Sequence, residues 1–205
     1  MSRIKICGMM RPEDISYVNE ALPEYAGFIF AENRRRTLTP EYALELRQML
    51  DKRIKAVGVF YDQSLDFIEK VIKMDMLDLV QLHGHESEEF VLNVKRFGLP
   101  VIKAFKIEGP DDLKRAKNSP ADYCLLDNGD GGTGKRFDWS VLEGFDREFF
   151  LAGGLDCENI SAALEKYAPF AVDVSSGVET GGAKDPDKIR RFVVSVRRKA
   201  HTDTH

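Results

Sequence analysis

The feature that most constrains this chain is a repeat of element types: short β-rich apolar runs alternate with amphipathic helical stretches from one end to the other. Ile4–Ile6, Ala26–Phe30, Lys55–Phe60, Leu79–Leu82, Val101–Phe105, Tyr123–Leu126, Phe149–Ala152 and Ala171–Val174 read as strands. Helical periodicity fills the gaps over Pro12–Glu20, Pro40–Leu50, Leu65–Lys73, Glu88–Phe97, Pro110–Ala116, Glu158–Tyr167 and Pro186–Arg198, with a short turn at Trp139–Leu142. Thr39, Ser64 and Ser87 stand where helix N-caps belong.

Strict alternation of strand and helix forces parallel strands joined by crossovers, and an unbroken run such as Val57-Gly58-Val59-Phe60 suits a strand covered on both faces. Eight units share 205 residues, which is compact but within the range of roughly 200 to 400 for a closed barrel. The expected fold is therefore α/β, a single-domain (β/α)8 TIM barrel over residues 1–200. An open doubly wound sheet is the competing architecture, but the repeat runs evenly to eight and no linker divides the chain. Residues 201–205, His-Thr-Asp-Thr-His, are polar and unpatterned and read as a frayed tail.

Charge narrows the partner. Thirty basic against 34 acidic residues leave a net charge of -4, which argues against an extended nucleic-acid footprint and for a small molecule. No apolar stretch approaches the roughly 20 residues a membrane span needs, and the N-terminus has no apolar core of a secretory signal. Cys7, Cys124 and Cys157 form no CxxC pair and read as reduced thiols. A cytoplasmic protein is expected, with monomer and homodimer both open.

In such a barrel the reacting groups sit at the C-terminal ends of the strands. There the sequence places Cys7-Gly8, His83-Gly84, Asp127-Asn128, Gly153-Gly154, and Asp173 followed by Ser175-Ser176-Gly177. The glycines after strands seven and eight suit a phosphate site, because backbone N–H groups can approach an anion there, and Ser175 and Ser176 add hydroxyls. Cys7 and Asp127 could form an acid/base pair across one pocket. In Arg34-Arg35-Arg36, one guanidinium can reach the mouth to bind a carboxylate, while Arg34 and Arg35 read as solvated charge. Cys124 and Cys157 read as inert.

Two patterns are set aside. Gly129–Lys135 satisfies both GxGxxG and GxxxxGK, but Arg136 stands where a P-loop needs Ser or Thr and no long apolar helix follows. A mobile lid, with Lys135 as an anion contact, fits better. His83 and His85 share a face of an extended chain, yet a zinc site needs three protein ligands, so His83 reads as a pocket-lining donor.

Taken in order, Lys5-Ile6-Cys7-Gly8-Met9, Arg36-Thr37-Leu38-Thr39-Pro40, Val80-Gln81-Leu82-His83-Gly84, Gly131–Trp139, Ala152-Gly153-Gly154-Leu155 and Val172–Glu179 resemble the phosphoribosylanthranilate isomerases of tryptophan biosynthesis. The likeness spans nearly the whole chain. It implies an Amadori rearrangement of N-(5'-phosphoribosyl)anthranilate to 1-(2-carboxyphenylamino)-1-deoxyribulose 5-phosphate, with no metal or organic cofactor. It also implies Cys7 as general base, Asp127 as general acid, Arg36 on the anthranilate carboxylate, and Gly153, Gly154, Ser175, Ser176 and Gly177 around the phosphate. Asp173 takes a supporting place near the substrate's amine. Met9-Met10 and Arg34-Arg35 depart from the commoner family pattern without touching the acid or base.

Overall fold

The computed structural model describes residues 1–32, 34–127, 142 and 144–202. Eight parallel strands close into a barrel in chain order, β1 (Arg3–Cys7), β2 (Tyr25–Ile29), β3 (Lys55–Phe60), β4 (Leu79–Leu82), β5 (Val101–Lys106), β6 (Tyr123–Asp127), β7 (Phe149–Leu151) and β8 (Ala171–Val174). The barrel closes where Lys5 of β1 pairs with Asp173 of β8. An open sheet would leave β1 and β8 unpaired, so the competing architecture is excluded.

Among the described residues six helices carry crossovers, α1 (Pro12–Ala21), α2 (Pro40–Met49), α3 (Leu65–Ile72), α4 (Glu88–Lys95), α5 (Pro110–Asn118) and α6 (Ile160–Lys166), and α7 (Pro186–Thr202) follows the last barrel strand. The backbone N–H groups of Tyr42, Phe67 and Phe90 donate to the Thr39, Ser64 and Ser87 hydroxyls, so the three expected N-caps satisfy otherwise orphaned donors. Prolines stand at the first turns of α1, α2 and α5, where a missing N–H costs nothing. The short helix expected at Trp139–Leu142 lies outside the described residues apart from Leu142, which is buried. The closing helix continues to Thr202, two residues into the stretch expected as a tail, and residues 203–205 lie outside the described residues.

Burial follows the double covering that parallel strands require. One apolar cluster, with Ile4, Ile6, Phe28, Phe60 and Phe192, fills the space between sheet and helices. A second, including Val57, Leu79, Leu125 and Phe150, fills the barrel itself. At the N-terminal ends of the strands, carboxylates of Glu24, Asp78 and Asp122 accept from the N–H groups of Ile4, Ala56 and Val101 at 2.7–2.8 Å. These contacts tie down the closed floor and leave the opposite end for chemistry. Among the described residues no helix is long and apolar enough to cross a membrane.

Candidate active site

A cavity of about 840 Å³ opens at the C-terminal ends of the strands, lined by Cys7, Arg36, His83, Asp127 and Asp173 together with Gly153, Gly154, Ser175, Ser176 and Gly177. All ten residues singled out from the sequence thus meet in one place, brought there from β1, β2, β4, β6, β7, β8 and the loops that follow them. A volume of this size suits a small molecule.

Cys7 ends β1 and is only 7% exposed. Its place depends on Gly27 of the neighbouring strand, because a Cβ there would fall 2.8 Å from the Cys7 sulfur. Beneath it lies Lys5, two residues back and therefore on the same face of the strand. Lys5 is fully buried and donates to both oxygens of Asp173 at 3.0 and 2.9 Å. Burial opposes the Lys5 charge, but Asp173 and Cys7 outweigh it and hold the ammonium above the usual lysine range. For Cys7 the balance runs the other way: burial pushes the thiol up, while the Lys5 and Lys184 ammoniums pull it down without cancelling the shift.

Asp127 closes β6, three strands round the ring from Cys7. The His83 Nε2 stands 3.7 Å from its Oδ2, and the other ring nitrogen lies 2.8 Å from the Gln81 amide. Burial holds the His83 pKa below its usual value against the pull of Asp127 and Asp173, so the ring is neutral near pH 7. A neutral imidazole with one nitrogen bonded to Gln81 has a fixed partner and a second nitrogen facing the carboxylate.

The arginine run separates into three roles. Arg36 is held on one edge by Glu179, with Nε to Oε1 at 2.8 Å and Nη2 to Oε2 at 2.6 Å. Arg34 and Arg35, expected as solvated charge, are both exposed, the Arg35 side chain to 57%, and each also finds a partner. Arg35 donates to the same Glu179 at 2.7 Å, and Arg34 lies 4.6 Å above the Tyr61 ring, because the β2–α2 loop folds back over the barrel rim.

The β7 and β8 loops have concave, positively twisted backbone at Gly153 (φ 90°) and Gly154 (φ 66°), followed on β8 by a 3-10 turn over Ser176–Val178. The Ser175 hydroxyl donates to the Cys7 carbonyl at 3.0 Å. In this arrangement its one proton is directed at that carbonyl, and the backbone N–H of Ser175 is a further donor on the loop. Gly129–Lys135, expected as a lid, lies outside the described residues.

The sequence reading missed Lys5, Gln81, Lys103, Glu179 and Lys184. Lys103 is buried behind the β4–α4 loop, donating to the Gly84 carbonyl at 2.7 Å and pairing with Glu86 at 3.0 Å. Lys184 donates to the Ser175 carbonyl and to Glu179, each at 2.9 Å. Lys5 carried a local signal, a lysine set two residues before Cys7 in an apolar strand. Cys124 and Cys157 are as bland as expected, donating to the Ala116 and Lys188 carbonyls, and burial drives the Cys124 thiol up to about 11. Among the described residues no group of three or more His, Cys, Asp or Glu side chains could hold a metal.

Fold and site define an enzyme of the (β/α)8-barrel class, with its reactive mouth at the C-terminal ends of the strands. Residues 4–195 match the family model described as N-(5'phosphoribosyl)anthranilate (PRA) isomerase. The chain belongs to that family. An N-(5'-phosphoribosyl)anthranilate isomerase of Thermoanaerobacter sp. strain X514 is 43% identical over 203 residues, covering 96% of this chain and 98% of the relative. The solved phosphoribosyl anthranilate isomerase of Thermotoga maritima superposes with a TM-score of 0.89 at 36% identity, covering 97% of this chain and 100% of that one. A further isomerase structure, in complex with reduced 1-(o-carboxyphenylamino)-1-deoxyribulose 5-phosphate, is 35% identical with a TM-score of 0.87 and the same coverage.

Proposed function

We propose that Cys7 and Asp127 are the general base and general acid with which this chain isomerises N-(5'-phosphoribosyl)anthranilate. The activity is that of its family, an aldose–ketose isomerisation in tryptophan biosynthesis. The reading of the site rests above all on one observation: a thiol and a carboxylate from β1 and β6 line the same cavity as an arginine edge and two glycine loops. That is the set of groups a substrate with one carboxylate, one phosphate and a sugar between them requires.

The chemistry follows from what each group can do. Asp127 gives a proton to the furanose ring oxygen, which opens the aminal to a Schiff base. The Cys7 thiolate then takes the C2 proton, and the resulting enolamine tautomerises to the ketone. Arg36 holds the anthranilate carboxylate through charge-assisted hydrogen bonds. The backbone of Gly153, Gly154 and Ser175–Gly177 receives the phosphate, and His83 lines the wall beside Asp127. Asp173 supports Cys7 through Lys5, so that the base sits over a buried ion pair.

The free thiols and the phosphorylated substrate support a cytoplasmic setting. The test is consumption of freshly made N-(5'-phosphoribosyl)anthranilate, followed by fluorescence with and without a chelator. Turnover that survives the chelator is expected, and no consumption by the folded protein would overturn the reading.

A further inference from the structure

Glu179 does not line the cavity, yet its carboxylate touches three cations that serve both ends of it. It sits in β9 (Glu179–Thr180), which turns back into β10 (Ala183–Lys184) directly after the β8 loop. Its side chain is only 6% exposed. One oxygen accepts from Arg36 Nε and from Lys184, and the other accepts from Arg36 Nη2 and Arg35. Lys184 in turn holds the Ser175 carbonyl, and the Ser175 hydroxyl holds the Cys7 carbonyl.

This geometry has a specific consequence for Arg36. A guanidinium is a rigid plane with five N–H donors, and a carboxylate on its Nε–Nη2 edge leaves the Nη1–Nη2 edge for a second carboxylate. Glu179 occupies the first edge from behind, while Arg36 itself lines the cavity. The charge count points the same way. Three cations around one anion leave an excess of two positive charges, which suits a ligand with a carboxylate at one end and a phosphate at the other.

We propose that Glu179 is a positioning residue that sets both substrate anchors at once, fixing the free edge of Arg36 for the aryl carboxylate and, through Lys184, the Ser175 loop for the phosphate. It acts through other residues and does not touch the reacting atoms. The proposal rests on the reading of Arg36 and the β8 loop as the two anchors, and its test separates the two ideas.

The test measures kcat, KM and competitive inhibition by two fragment probes, 2-aminobenzoate for the carboxylate end and inorganic phosphate for the other. Glu179→Gln removes the charge at constant size, leaving three cations to repel one another. It should raise KM about tenfold or more, the effect of losing a charge-assisted pair, leave kcat nearly unchanged, and weaken both probes. Arg36→Ala should weaken 2-aminobenzoate alone, and Lys184→Met should weaken phosphate alone. Glu179→Asp keeps the charge on a shorter arm and should recover part of the loss at both ends, which also provides a readout if Glu179→Gln fails to fold. An unchanged KM in Glu179→Gln beside a raised KM in Arg36→Ala overturns the positioning role and leaves the anchors standing. An unchanged KM in both overturns the anchors themselves, and weakening of one probe alone in Glu179→Gln overturns the coupling between the two ends.

Discussion

Lys5 and Asp173 form a buried bidentate ion pair, 2.9 and 3.0 Å long, immediately below the Cys7 thiol on the inner wall of the barrel. The two partners act on Cys7 with opposite signs: the Lys5 ammonium favours its thiolate and the Asp173 carboxylate opposes it. Because burial leaves the thiol above its ordinary range, kcat/KM should rise with pH above neutrality as the base ionises. Lys5→Met removes a cation and should move that acid limb to higher pH. Asp173→Asn removes an anion and should move it to lower pH. Breaking a buried pair costs about 3–5 kcal/mol, so melting temperatures of both variants should fall. Shifts in the same direction would dissociate Cys7 from the pair.

Arg36→Ala should weaken substrate binding by about 1.5–3 kcal/mol, roughly tenfold or more in affinity. Arg34→Ala should do little, because its guanidinium lies over the Tyr61 ring and not on a carboxylate. Arg35→Ala should also do little, since Glu179 retains both Arg36 and Lys184. Titration of the three variants with product checks this, and equal losses at all three positions would indicate diffuse steering instead of a single clamp.

Gly154→Val puts a β-branched side chain at φ 66°, a left-handed conformation that costs an L-residue about 1–2 kcal/mol, and adds bulk to the phosphate loop. Ser176→Ala leaves the backbone donors of the other loop intact. Calorimetry with the phosphorylated product should therefore show the larger loss for Gly154→Val, and inorganic phosphate should compete with substrate in the wild type. Normal binding by Gly154→Val would move the phosphate elsewhere.

Burial opposes the charge of Glu179, but Arg36 and Lys184 overcome it and hold the carboxyl at about 2, below the ordinary 4.5. A folded-state pKa depressed in this way contributes stability that is present above about pH 4.5 and lost as pH falls towards 2. Thermal melts across that window should show a steeper loss for the wild type than for Glu179→Gln. Identical slopes would mean that the ion cluster does not persist in solution.

The barrel was legible in the sequence because its signals are local: apolar runs, N-caps three residues ahead of their N–H donors, and prolines at first turns. The mouth was legible because a polar residue or glycine ends five of the eight strands, β1, β4, β6, β7 and β8. Lys5 escaped notice because both faces of a parallel strand are buried, so alternation does not tell inside from outside. Glu179 escaped because its partner Arg36 lies 143 positions away and nothing local pairs the two. The hairpin that carries Glu179 did have a signal: Gly181 and Gly182 at φ 59° and 83° meet the demand of a tight two-residue turn for positive φ at both central positions. The proton on Ser175 was beyond reach for the same reason as Glu179, since its acceptor is the Cys7 carbonyl 168 residues away.

The central claim is that the Cys7 thiolate removes the C2 proton while Asp127 protonates the ring oxygen. Single-turnover reactions of the wild type, Cys7→Ser and Asp127→Asn with substrate carrying deuterium at C2 test it most directly. In the wild type the deuterium should slow the isomerisation step. Both variants should still bind product, yet turn over at least about 100-fold more slowly, the usual contribution of a general acid or base. A Cys7→Ser enzyme that isomerises at the wild-type rate and retains the same isotope effect would contradict the claim.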